Sequence, residues 1–168
     1  LLNKIFQNVP AAEPLAVPGD IYIIPKIKTF FKIKNQDKLA FIKAFIYMGY
    51  FRSFILFVPF NKLRKRMGKI KLESPQEVDD ECYKKAVRIA RIVGIVSYHT
   101  PWESKCLVQA LTAQKMLKKQ GVSTTLYLGV KKDNNNQMLA HAWIRCGDYF
   151  VTGGGNRHGY AVVAKFAS

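Results

Sequence analysis

The chain has 168 residues, enough for one domain with a sizeable core, and its hydrophobic fraction of 49% describes a globular protein and excludes a disordered one. Its net charge of +16 is uneven, because the segment from Lys26 to Lys71 holds thirteen Lys and Arg against one acid, Asp37. Such a surface attracts anions, although a solvated basic face without a ligand is the simpler interpretation. Nucleic acid is not expected as a partner, since no zinc-finger, RNP or helix-turn-helix signature accompanies the charge.

Three cysteines (Cys82, Cys106 and Cys146) leave at least one thiol unpaired, and none has metal-ligand spacing. We therefore expect no metal and no organic cofactor. The N-terminus lacks a charged region followed by an apolar core and a cleavage site, so no secretory signal is predicted. A reducing, cytoplasmic location is the expectation.

Residues 1–25 contain four prolines and Gly19, which predicts an extended N-terminal arm with a short strand at Ile21–Ile24. A basic helical part is predicted over residues 26–72. Its main helix begins near Asp37, with apolar residues at spacings of three and four, and ends at Pro59. A short basic helix should follow over Phe60–Met67.

The main helix is apolar enough to raise the question of a membrane span, but spanning would bury the charges of Lys43 and Arg52. We therefore expect an amphipathic helix packed on the domain and no membrane contact.

Residues 73–168 are predicted to form the core domain. Ser74, Pro75 and Glu77 have the pattern of a capping box at the start of a helix. A further helix should start after Thr100 or Ser104 and stop at Gly121. The period then becomes strand-like over Thr124–Val130, Leu139–Cys146, Tyr149–Thr152 and Tyr160–Phe166. Helices followed by an antiparallel sheet indicate an α+β fold.

A nucleophilic cysteine needs a stabilised thiolate and a base within reach. Cys106 lies near the start of a predicted helix, where free N–H groups favour a thiolate, and Lys105 adds positive charge. His141 lies on a predicted strand between two alanines, with Trp143 on the same face. The simpler alternative is a core cysteine and a structural histidine.

Four segments resemble the lasso-peptide biosynthesis B proteins of the transglutaminase-like superfamily. They are Tyr98-His99-Thr100-Pro101-Trp102-Glu103-Ser104-Lys105-Cys106-Leu107, Leu126-Tyr127-Leu128-Gly129-Val130, Ala140-His141-Ala142-Trp143-Ile144-Arg145 and Val151-Thr152-Gly153-Gly154. The likeness extends over roughly residues 25–168.

The resemblance implies a papain- or transglutaminase-like cysteine peptidase that removes the leader from a lasso-peptide precursor. Cys106 would be the nucleophile and His141 the general base and acid, and we expect Trp102 and Trp143 to border the substrate. It also implies two partners besides the precursor: a separate leader-recognition protein and the lasso cyclase.

The family is described as having a Cys-His-Asp triad, with the acid about a dozen residues after the histidine. That position is Gly153 here, and the single acid after His141 is Asp148. Gly147-Asp148 has the pattern of a two-residue hairpin turn, which would put Asp148 about 20 Å from the imidazole. Asn156, a backbone carbonyl or a group elsewhere would have to orient His141.

Three other functions stay open at the level of sequence. The first is a non-hydrolytic scaffold that presents precursor to the cyclase. The second is an enzyme that transfers the acyl group to an amine. The third is a basic domain that binds membranes or nucleic acid. An intact Cys106 and His141 argue against the scaffold.

Overall fold

The computed structural model describes residues 35–168, and the predicted arm with its strand at Ile21–Ile24 lies outside this range. The predicted mixture of helices and an antiparallel sheet is confirmed. The elements, in chain order, are α1 (Asn35–Phe57), α2 (Phe60–Arg64), β1 (Lys69–Ile70), α3 (Asp80–His99), α4 (Cys106–Lys118), β2 (Thr125–Lys132), β3 (Met138–Cys146), β4 (Tyr149–Thr152) and β5 (Ala161–Ala167).

Helix α1 is apolar on both of its sides. One side packs into the core against α3 and α4 through Ala44, Met48, Phe51 and Ile55. The other side exposes Leu39, Ile42, Phe45, Ile46, Leu56 and Phe57. The predicted packing of this helix on the domain is therefore confirmed, whereas its predicted amphipathic character is wrong. By length and composition alone, Asp37–Phe57 is long and apolar enough to cross a membrane, a test that core helices also pass.

Helix α3 begins five residues later than the capping box predicts. Asp79 is its N-cap, and the Asp79 carboxylate accepts from the amide of Cys82 at 2.6 Å. Ser74 is buried instead, and both its N–H and its hydroxyl bond to the Thr125 hydroxyl, at 2.7 and 2.8 Å. The Ser-Pro-Gln-Glu pattern is therefore a linker tied to the sheet, because a tertiary hydrogen bond uses the hydroxyl that would cap a helix.

Helix α4 begins at Cys106 itself, with Lys105 in the N-cap position and no side-chain cap. Neither predicted cap is used. Thr100 instead ends α3, and its hydroxyl bonds to Ser97 O, Trp102 O and the Ser104 hydroxyl. These bonds fold residues 100–105 into a compact turn that leads into Cys106 at the start of α4.

The five strands form one antiparallel sheet in the order β1-β5-β2-β3-β4. The two-residue strand β1 was not predicted, because two residues carry no readable period. Cys146 pairs with Tyr149 across a two-residue turn in which Gly147 has φ +61°, so the predicted hairpin at Gly147-Asp148 is confirmed.

Side chains alternate across β3, and the two sets have different surroundings. Ala140, Ala142 and Ile144 join the core that α4 covers. His141, Trp143 and Arg145 point to the opposite face. There Glu73 accepts from Arg145, Lys165 and Tyr127, which anchors the linker to the sheet.

Candidate active site

Cys106 is the first residue of α4, and three main-chain amides lie beside its sulfur. The N–H groups of Ala142, Leu107 and Cys106 itself act on the sulfur, and each favours the thiolate. Burial outweighs them, so the pKa of the Cys106 thiol is raised. The resting form at neutral pH is therefore the thiol.

His141 is almost fully buried on β3, at 2% exposure. Its Nε2 lies 2.8 Å from the carbonyl oxygen of Gly153. Burial lowers the pKa of His141, while the bond to Gly153 acts in the opposite direction and the charge of Lys131 lowers the pKa further. The neutral imidazole is therefore the resting form at neutral pH.

The two predicted catalytic residues meet at one peptide unit. The amide that faces the Cys106 sulfur is that of Ala142, the N–H of the peptide bond that joins His141 to Ala142. Among the described residues, the groups that bond to the thiol are main-chain amides, and the imidazole is not one of them. The structure thus places the thiol beside the backbone of His141, with the ring turned toward Gly153.

Gly153 follows β4 and occupies the position at which the resemblance led us to look for an acid. Its φ of +70° lies in the left-handed region that favours glycine. A Cβ built there would lie 2.5 Å from Ala142 O and 3.1 Å from His141 Nε2. Asp148 is exposed in the β3–β4 turn, as its place in the hairpin predicts.

Aromatic rings surround the imidazole. Trp143, at 4% exposure, stacks on His141 with centroids 5.7 Å apart and on Tyr127 at 5.6 Å. Tyr160 lies 5.3 Å from His141, and burial followed by the charge of Cys106 raises the pKa of Tyr160. Sequence reasoning missed Tyr160, since it precedes β5 in a loop and no motif marks it.

Trp102 packs against α1. Its ring packs on Gly49, and its centroid is 4.9 Å from that of Phe45. An open cleft runs beside it, crossed by the ion pair between Arg52 and Glu103 at 2.9 Å. The residues that line the cleft are Gly49, Arg52, Ser53, Leu56, Pro101, Trp102 and Glu103.

Across residues 35–168, no cluster of His, Cys, Asp and Glu has the arrangement to hold a metal ion. A thiol at a helix start, a neutral imidazole and several main-chain amides are the groups that covalent acyl chemistry uses.

Comparison with protein families decides the wider relationship. The family model described as the transglutaminase-like superfamily matches residues 54–165, two thirds of the chain. The chain belongs to the transglutaminase-like superfamily. No curated protein and no solved structure matches it.

The superfamily includes cysteine peptidases, and cysteine-dependent catalysis is common in it. The matched region begins within α1 and ends within β5. It therefore contains Cys106, His141 and Gly153, so the superfamily domain and the candidate site coincide.

Proposed function

We propose that this chain is a cysteine peptidase that removes the leader from a lasso-peptide precursor, with Cys106 as nucleophile and His141 as general base and acid. The observation that carries the proposal is the position of Cys106 at the start of α4, beside the main-chain amide of Ala142, the residue that follows His141 on β3. Free main-chain amides beside the sulfur stabilise the anion that a nucleophilic cysteine forms.

The reaction starts from a neutral thiol and a neutral imidazole. His141 takes the thiol proton as the sulfur attacks the carbonyl carbon of the scissile bond, and a tetrahedral oxyanion forms. The imidazolium then gives that proton to the departing amine of the core peptide. Water, deprotonated by the same imidazole, attacks the thioester carbonyl and releases the leader acid and the free thiol.

The oxyanion needs N–H donors near the sulfur. The amides of Cys106 and Ala142 lie beside the sulfur, one at the start of α4 and the other on β3, and are the proposed donors. Because they belong to different elements of a packed core, they are fixed before substrate binds. Each such donor contributes about 3 kcal/mol to the transition state in well-studied acyl-transfer enzymes.

The precursor, a separate leader-recognition protein and the lasso cyclase are the proposed partners, on the strength of the resemblance carried by the segments around Cys106 and His141. The basic surface suits an acidic leader. We place Trp102 and the cleft beside it on the substrate side of the site, because only three residues separate Trp102 from Cys106. The reaction would take place in the cytoplasm.

The test is mass spectrometry of a lasso precursor incubated with its leader-recognition protein and this chain. Wild type should cut once at the leader–core junction, and Cys106→Ala should cut nothing. Cys82→Ala is the matched control, because Cys82 is also half-buried in the first turn of a helix and should keep full activity. Equal cleavage by Cys106→Ala would end the nucleophile assignment.

A non-hydrolytic scaffold is the second candidate. Two observations favour it: Gly153 stands where the triad acid is expected, and the imidazole does not bond to the thiol. In that case wild type and Cys106→Ala should both leave the precursor intact and both retain its binding.

A further inference from the structure

We infer that the main-chain carbonyl of Gly153 orients His141 in place of a triad carboxylate, which makes Gly153 a positioning residue of this site. The inference rests on the proposed function. Beyond that function, the Gly153 carbonyl is identified as the group that orients the ring, and the imidazole is required to be neutral at rest.

The hydrogen bond fixes the tautomer of the ring. A carbonyl oxygen only accepts, so the Nε2 that lies 2.8 Å from Gly153 O must carry a hydrogen and donate it. In the neutral imidazole Nδ1 is then bare. Nδ1 is then the nitrogen left to act as a base, so the carbonyl selects the basic nitrogen as a carboxylate would.

The same geometry explains why no carboxylate occupies this position. A side chain at residue 153 would start 2.5 Å from Ala142 O, 3.0 Å from Trp143 Cβ and 3.1 Å from His141 Nε2. The positive φ adds strain for any residue with a Cβ. The carbonyl reaches the ring only because position 153 has no side chain.

A carbonyl differs from a carboxylate in one respect, its lack of charge. The groups that face His141 are Trp143 and Tyr160, whose rings are neutral, Lys131, whose ammonium lies over the Tyr160 ring at 4.5 Å, and the Gly153 carbonyl. Among the described groups, no anion compensates an imidazolium there. His141 therefore acts as a base from the neutral state, and the imidazolium exists only within the reaction.

Nitrogen-15 NMR of histidine-labelled protein tests the tautomer directly. His141 should be a single Nε2–H tautomer. His99 gives an internal reference of the opposite kind, since its Nδ1 lies 2.8 Å from Ile95 O and must donate. An Nδ1–H tautomer at His141 would overturn the inference without any reference to activity.

Two glycine variants separate positioning from backbone strain. Gly153 and Gly159 both have φ in the left-handed region, +70° and +79°, but a Cβ at Gly159 meets nothing within 4 Å. Both alanine variants pay the same type of strain, while Gly153→Ala alone displaces the carbonyl from the ring. Gly153→Ala should convert His141 to a tautomer mixture and lower the rate of leader removal at least about tenfold.

Gly159→Ala should keep the wild-type tautomer and a rate within about a factor of three. If wild type removes the leader and Gly153→Ala changes neither tautomer nor rate, the positioning role is wrong and the proposed function stands. If the His141 tautomer changes in Gly153→Ala but wild type does not cleave the precursor, the proposed function is wrong and the orienting hydrogen bond stands.

Discussion

The protonation of Cys106 gives the sharpest test of the electrostatics. Because burial raises the pKa of the thiol and lowers that of His141, the pair should rest as thiol and neutral imidazole. An ordinary cysteine with pKa about 8.5 is about 3% thiolate at pH 7. Cys106 should fall below this fraction, and its thiolate should increase about tenfold per pH unit.

Alkylation with iodoacetamide, followed by mass spectrometry of the peptide that contains Cys106, measures this fraction. Between pH 6 and 9 the rate should increase continuously, without a plateau. Unfolding in urea should speed the reaction at pH 7 about tenfold or more, because it removes both the burial and the limited access. The measurement uses the Cys82→Ala background, which removes the second half-buried thiol.

A rate that is constant from about pH 5 to 7 would refute this reasoning. It would mean that a thiolate–imidazolium pair forms in the resting protein although a neutral carbonyl faces the ring. The amides around the sulfur would then affect the thiol pKa more than burial does, whereas in the structure burial has the larger effect.

The remaining predictions concern the linker and the β3–β4 turn. Ser74→Ala should cost about 1 kcal/mol of unfolding free energy in urea, whereas Thr125→Val should cost about 3, because it also leaves the buried N–H of Ser74 without an acceptor. Equal losses of unfolding free energy in the two variants would contradict the hydrogen bond from the Ser74 N–H to the Thr125 hydroxyl. The pKa of Glu73 is lowered, first by its bond to Lys165 and then by that to Tyr127, so its contribution to stability is present above its unfolded pKa of about 4.3 and is lost as pH falls through the lower folded pKa. Glu73→Gln should therefore be less stable than wild type at pH 7 and equal to it in strong acid, as thermal unfolding would show. Asp148→Ala should change the rate of leader removal by less than about twofold, since Asp148 is an exposed turn residue. A loss of two or more orders of magnitude would mean that the turn reaches the site.

The sequence predicted strands β2 to β5 closely, because their alternation and the turn glycines are local signals. It failed at the N-caps of α3 and α4. Ser74 and Thr100 both carry hydroxyls in capping patterns, but each hydroxyl bonds to partners outside the helix that it seemed to begin. Only tertiary structure determines which acceptor or donor such a hydroxyl meets.

The same distinction holds for the candidate site. Cys106 and His141 were identifiable as residue types on particular elements, and the missing acid was visible as Gly153. The carbonyl that takes its place could not be predicted, since every residue has one and a side-chain pattern says nothing about where it points. Tyr160 was missed for a related reason: its proximity to His141 depends on how β5 pairs with β2.

The peptide unit between His141 and Ala142 ties the base to the surroundings of the nucleophile. Its N–H lies beside the sulfur, His141 projects from its N-terminal end, and the carbonyl of the next peptide unit, Ala142 O, lies beside Gly153. A distortion of β3 at this point would therefore displace three groups together. They are the imidazole that accepts the proton, the Ala142 N–H that stabilises the anion and the contact with Gly153 that orients the ring. Substitutions along the strand should thus act on the whole site in an all-or-none manner, and their effects on rate should not add.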